Sequence, residues 1–149
     1  AKLLLEKNLT IAVSESCTGG LVASKLIEYP GISEVFMEGA VTYSNEAKMK
    51  RLGVKAETLK NYGAVSAETA LEMAEGIAKS AGTSVGLSTT GVAGPGPSEG
   101  KPEGLVYVGI YINGRTFVKE LHLAGKRNVI RERAAYSALD YLRRKILLD

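Results

Sequence analysis

The sequence predicts an α/β fold, a three-layer α/β/α arrangement whose mixed, mostly parallel sheet includes one antiparallel hairpin. Three observations carry that expectation. Strand-like and helix-like runs alternate from Leu9 to Thr89, Asn113-Gly114 stands between two strand-like runs as a strong hairpin signal, and a long helical run follows. With 149 residues, 45% of them hydrophobic, the chain has the size and apolar content for one domain, 1–149, around one core.

Taken in order, Ala1 to Lys7 reads as the tail of a helix with no start signal and no initiating Met, as a trimmed chain or a piece of a longer one would. Leu9 to Ser14 has the alternation of a short buried strand. Thr18 can cap a helix over Gly19 to Glu28, which Pro30-Gly31 ends. Val35 to Tyr43 reads as a second strand, and Ser44 caps a helix from Asn45 to Leu52 that Gly53 stops. Ser66 caps a helix reaching about Ala81, with Ala70, Met73, Ala74 and Ile77 as its buried stripe. Thr83 to Thr89 is strand-like, Gly91 to Gly104 is a Gly/Pro-rich loop, and Leu105–Ile112 and Thr116–Leu123 flank the hairpin turn. A helix from about Arg127 to Leu147 closes the domain.

The inventory excludes several chemistries. One Cys (Cys17) and one His (His122) leave no Cys/His zinc site, no HExxH protease and no disulfide framework. Nineteen basic residues against sixteen acidic ones give +3, an excess too scattered for a nucleic-acid footprint. No apolar run approaches the roughly 18 to 20 residues of a membrane span, which makes the cytoplasm the default location.

Two segments and one arginine pair invite a chemical reading. The turn Ser14-Glu15-Ser16-Cys17-Thr18-Gly19-Gly20 falls between a strand and its helix, where open α/β sheets place ligands; its glycines admit close approach and its free amides can bind an anion or oxyanion. Helix capping by Ser and Thr is the plain alternative. The loop from Gly91 to Lys101 is neither a Walker A motif, since Pro95 and Pro102 occupy two required positions, nor a dinucleotide loop, since Glu99 replaces the third Gly. Arg127 and Arg131 share a face near the start of the last helix, where the dipole disfavours cations, so either a bound phosphate or carboxylates such as Glu132 should compensate them.

For hydrolysis, His122 in a strand-like run reads as structural, and Cys17 without a His partner as a small buried side chain. Ser16 is the better nucleophile candidate, and its base has then to be something other than His, for which a lysine whose pKa burial lowers is the known substitute. Lys48 follows the second strand beside Tyr43, Ser44 and Asn45, and adjacent parallel strands bring the two carboxyl ends together. Spacing alone does not choose Lys48 over Lys25 or Lys50, and Ser16 to Lys48 does not fit the S-x-x-K pattern of β-lactamases.

Five motifs in register resemble the CinA C-terminal domain family, the nicotinamide-nucleotide amidases. They are Ser14 to Gly20, Val41 to Lys48, Gly63-Ala64-Val65-Ser66, Gly91-Val92-Ala93-Gly94-Pro95, and Lys101-Pro102, and they span essentially the whole chain. The resemblance implies hydrolysis of the carboxamide of nicotinamide mononucleotide to nicotinate mononucleotide and ammonia, a recycling step in bacterial pyridine-nucleotide metabolism, with no metal and no organic cofactor. Carried over by position, Ser16 is the nucleophile, Lys48 the general base, and Tyr43 a neighbour that orients both. Backbone amides from Cys17 to Gly19 would hold the oxyanion, with Thr18, Gly20 and Asn45 among the binding residues. Thr90, Gly91, Ala93 and Gly94 would line the nucleotide, and Arg127 with Arg131 would clamp its phosphate.

The resemblance further implies a homo-oligomer, dimer or higher, and a domain often fused behind a larger N-terminal one. The chain departs from the family pattern at Gly96-Pro97-Ser98-Glu99, where further Gly and a small polar residue are common, and at Glu103, where an apolar residue is usual. Two other classes compete with the amidase. One is a regulatory module that binds a pyridine nucleotide without cleaving it. The other, ranked last, is a nucleic-acid binder suggested by an isoelectric point near 9.0 but opposed by few aromatic residues and dispersed charge.

Overall fold

A computed structural model describes residues 1–148. Its elements are α1 (Lys2–Glu6), β1 (Ile11–Glu15), α2 (Leu21–Ile27), a 3₁₀ turn (Ile32–Glu34), β2 (Phe36–Val41), α3 (Asn45–Leu52), α4 (Ala56–Tyr62), α5 (Ala67–Ala81), β3 (Val85–Gly91), β4 (Leu105–Ile112), β5 (Arg115–His122) and α6 (Arg127–Leu148). The sheet order is β2-β1-β3-β4-β5. β2, β1 and β3 pair in parallel, while β4 is antiparallel to both β3 and β5, so four of the five strands run the same way. The predicted mixed sheet with helices on both faces is what forms. Asn113 and Gly114 both have positive φ, 46° and 92°, as a type I′ hairpin turn requires.

Alternation along β1 sends its side chains to two cores. Ile11 and Val13 join Val22, Leu26, Val85, Leu87 and the α6 stripe of Ile130, Ala134, Ala138, Leu142 and Ile146, whereas Ala12 packs with Leu52, Met73 and Ile77 of α3 and α5. α5 lies close on the sheet because Gly86 and Gly109 oppose it: a Cβ on Gly86 would sit 2.0 Å from the Ala74 carbonyl oxygen, and one on Gly109 2.2 Å from that of Ala70. Ser14 and Ser88, pointing to the same side, donate to the Met73 and Ala70 carbonyls at 3.2 and 2.6 Å. Among the described residues no helix is long and apolar enough to cross a membrane.

One expectation needs correction, and one element has no counterpart in the sequence reading. Thr18 does not cap α2; the helix starts at Leu21 behind Gly20, which adopts φ 105° and makes no side-chain cap. The cap comes from Glu15, whose buried carboxylate accepts the amides of Val22 at 2.9 Å and Ala23 at 3.1 Å. A carboxylate reaching back from the strand satisfies two of the orphan donors and faces the positive end of the helix. The second difference is α4, which carries no capping side chain, so the usual start signal is missing from its sequence.

The parallel direction of β1, β2 and β3 delivers their carboxyl ends to one edge, placing Ser16, Thr42 and Tyr43, and Thr90 and Gly91 side by side. β5 runs the same way, so α6 begins at that edge as well. Four chain segments far apart in sequence thus converge where the sheet's ligand-binding edge lies.

Candidate active site

At that edge lies a cleft of about 300 Å³. Its wall contains Ser16, Cys17, Tyr43, Asn45, Lys48, Thr90, Gly91, Ala93, Gly94 and Arg127, all of them expected site residues. Thr18, Gly19, Gly20 and Arg131 do not line it. His122 is exposed on β5 and pairs with Glu120, outside the cleft. Lys25 pairs with Glu132 at 3.0 Å and lies over the Tyr136 ring, and Lys50 is exposed, so of the three candidate lysines only Lys48 meets Ser16.

Lys48 is 1% exposed, and Nζ makes three contacts: Ser16 Oγ at 3.1 Å, the Thr42 carbonyl at 2.8 Å and the Tyr43 carbonyl at 3.2 Å. Two carbonyls accept two N–H groups, and the remaining tetrahedral position of nitrogen faces the serine oxygen. In the ammonium that position donates; in the neutral amine it is a lone pair aimed at the serine hydroxyl. Burial lowers the Lys48 pKa from its ordinary value, opposed by the field of Glu99, so the protein shifts this lysine toward its basic form. Cys17 goes the other way: its thiol is buried, and burial pushes its pKa up to about 12, leaving an apolar side chain rather than a thiolate.

The turn that carries Ser16 is tied down on every side. The Ser16 amide donates to the Thr89 carbonyl at 3.0 Å, and the Gly19 amide to the Ser16 carbonyl at 3.1 Å. That second bond corrects the expected oxyanion set, since the Gly19 donor is already committed. The Thr18 hydroxyl donates to Glu15 at 2.5 Å and lies 2.7 Å from that of Thr89, completing a buried polar chain between β1, the turn and β3. The two arginines separate in role. Arg127 reaches over the cleft, donating to the Gly94 carbonyl and, at 3.2 Å, to the Tyr43 hydroxyl. Arg131 instead donates to the Cys17 carbonyl at 2.9 Å, the Thr18 carbonyl at 3.1 Å and Asn128 at 3.1 Å. Neither engages Glu132, which is taken by Lys25.

Sequence reasoning assigned no site role to Ala64, Val65 and Glu99, which also line the cleft. Thr90 donates to the Ala64 carbonyl at 2.7 Å, and Lys101 bonds the Tyr62 and Val65 carbonyls, holding the α4–α5 connection against the Gly-rich loop. Glu99 adopts φ 53° and accepts from the Val65 amide at 3.4 Å. Glu103, the other departure from the family pattern, packs its carboxylate on Gly94, where a Cβ would meet it at 2.5 Å, and accepts the Gly96 amide at 3.1 Å. A polar residue there acts as a brace for the loop. Among the described residues no group of three or more His, Cys, Asp or Glu side chains gathers as metal ligands would.

The model of the CinA C-terminal domain matches residues 1–146. A putative competence-damage inducible protein of Clostridium botulinum (strain ATCC 19397 / Type A) is 65% identical over 147 residues, covering 98% of this chain and 36% of that protein. A CinA-like protein of Kosmotoga olearia is 64% identical over 146 residues, covering 97% of this chain and 35% of that protein. The chain thus spans about a third of the length of these curated relatives. Among solved structures, the competence damage-inducible protein A from Klebsiella pneumoniae superposes with a TM-score of 0.95 at 34% identity, covering 98% of this chain and 91% of that one. A competence/damage inducible protein from Agrobacterium tumefaciens gives 0.89 at 41% identity, covering 93% and 86%.

Proposed function

The chain belongs to the CinA C-terminal domain family, and we propose that it is an amidase that hydrolyses the carboxamide of nicotinamide mononucleotide to nicotinate mononucleotide and ammonia. The observation that carries the proposal is Lys48 Nζ, buried and held by two carbonyls, at 3.1 Å from Ser16 Oγ. A serine beside a desolvated lysine, with no histidine in the cleft, suits acyl transfer by a Ser-Lys pair.

Neutral Lys48 takes the proton of Ser16 as Oγ bonds to the amide carbon, and the carbonyl π electrons move to oxygen. The tetrahedral intermediate collapses as Lys48 returns the proton to the departing nitrogen, releasing ammonia and leaving an ester on Ser16. A water, deprotonated by Lys48, attacks that ester; Ser16 Oγ leaves and recovers that proton from Lys48, and the carboxylic acid so formed loses its own proton to solvent and departs as the carboxylate. Backbone amides after Ser16 hold the developing oxyanion. Arg127 reaches the mouth of the cleft and is exposed, which suits a contact with the substrate phosphate. Tyr43 touches that arginine and holds Lys48 through its carbonyl. The partner is a small nucleotide, the route draws on no metal or organic cofactor, and the domain acts as part of a homo-oligomer in the cytoplasm, within a longer chain.

The test is ammonia release from nicotinamide mononucleotide by the purified chain, beside Ser16→Ala and Lys48→Ala variants shown by circular dichroism to be folded. Release that disappears in both variants supports the proposal. A native chain that releases none, while the nucleotide raises its melting temperature, replaces the amidase with a binding module.

A further inference from the structure

We infer that Arg131 is a positioning residue for acyl transfer at Ser16: by fixing the carbonyls of Cys17 and Thr18 it locks the turn that follows Ser16 and so holds Ser16 and Cys17 in place in the cleft wall. This rests on the reading of Ser16 as nucleophile. A trans peptide points its C=O and N–H in opposite directions. The Cys17 carbonyl belongs to the same peptide unit as the Thr18 amide, so the Arg131 Nε contact at 2.9 Å sets the direction of that amide. The Thr18 carbonyl belongs to the unit of the Gly19 amide, and the Arg131 contact at 3.1 Å fixes it while that amide closes the turn onto the Ser16 carbonyl. One planar guanidinium therefore sets the two peptide units that follow Ser16-Cys17, and with them the path of the chain that carries Ser16.

Three further observations fit this role and not that of a phosphate clamp. Arg131 does not line the cleft, whereas Arg127 does. Each terminal nitrogen of Arg131 is engaged, one on Asn128 and one on Thr18. Gly19, at φ 58°, leaves room for the guanidinium, since a Cβ there would lie 3.0 Å from a terminal nitrogen of Arg131. The turn is thus shaped to receive the guanidinium from the side opposite to the substrate.

The test uses p-nitrophenyl acetate, which acylates an activated serine but carries no phosphate, and reads Ser16-dependent p-nitrophenolate release from the full chain. Arg131→Gln is expected to slow acylation about 10- to 100-fold, the scale of a misplaced reacting group. Arg131→Lys, which keeps the charge and one donor group, recovers part of that rate, and Lys126→Gln, which removes a charge before α6 without touching the turn, leaves it as in the native chain. With nicotinamide mononucleotide, the loss appears in kcat with KM within about twofold. An unchanged acylation rate in Arg131→Gln, or a KM effect confined to the nucleotide, overturns the inference. Should Arg131→Gln fail to fold, Arg131→Lys is read alone, and a native rate there overturns it. A native chain that the ester does not acylate overturns it together with the dyad. If the ester reaction depends on Arg131 but the nucleotide releases no ammonia, the inference stands and the substrate assignment falls.

Discussion

The carboxylate of Glu15 accepts the hydroxyl of Thr18 at 2.5 Å, three residues further along a turn that neither side chain leaves for solvent. The same carboxylate holds the first amides of α2, so one buried group joins the end of β1, the turn bearing Ser16 and the start of the helix. Ser16 is thus aimed by a neighbour, Glu15, that lies outside the cleft wall.

Removing that group is therefore expected to cost stability. Glu15→Gln keeps the shape but replaces one acceptor oxygen with a donor that faces backbone amides, and should destabilise the fold by about 1–3 kcal/mol. Glu15→Ala should cost more, since the α2 amides lose both partners. Urea unfolding followed by circular dichroism measures both; midpoints equal to the native one would refute the assignment.

On the proposed mechanism activity should rise with pH through the Lys48 titration, because the neutral amine would be the base. Burial lowers that pKa, so the ascending limb of kcat/KM should fall below the ordinary lysine range near pH 10.5. The same shift links to stability. Between the folded and unfolded pKa values the unfolded chain binds the proton more tightly, so stability should rise with pH across that window, and Lys48→Met should flatten the rise. Denaturant midpoints collected across alkaline pH test the sign.

Glu99 lines the cleft as an anion and raises the Lys48 pKa against the burial effect. Glu99→Gln keeps an acceptor for the Val65 amide and removes the charge. The ascending limb should move to lower pH, and KM for the cationic pyridinium nucleotide should rise by about two- to fivefold, the scale of a partly screened charge contact. A pH–rate series on this variant decides it.

Cys17 should resist alkylation. Its thiol, pushed up to about 12, is held in the neutral form at pH 8, and the residue is only 6% exposed. Iodoacetamide followed by mass spectrometry should leave the folded chain unmodified over hours and label it readily in guanidinium.

How much of this was legible depends on how local each signal is. The hairpin rests on a two-residue turn with its own conformational demand, and the Ser44 and Ser66 caps accept the amides of Ala47 and Thr69 as expected. Those features are set by neighbours in sequence. Thr18 misled because Glu15 competes for the same helix end, and a side chain seven residues upstream of Val22 leaves no capping pattern to read. The choice of Lys48 over Lys25 and Lys50 came from the family motif, and the structure gives its physical basis in strand order: only Lys48 follows the strand beside β1 on the inward face of its helix. The division of labour between Arg127 and Arg131 was invisible to spacing, since residues four apart on one helix share a face, yet here Arg127 lines the cleft and Arg131, which does not, binds the carbonyls of Cys17 and Thr18. Glu99 and Val65 entered the site only through tertiary packing of two loops.

The most direct test of the central claim, nucleophilic attack by Ser16 assisted by Lys48, is to run the reaction on nicotinamide mononucleotide in hydroxylamine and measure the hydroxamate. An ester on Ser16 would partition between water and hydroxylamine, so the native chain should yield hydroxamate in proportion to the hydroxylamine present, and Ser16→Ala none. Ammonia released with no hydroxamate at any hydroxylamine concentration, or hydroxamate still formed by Ser16→Ala, would contradict the account.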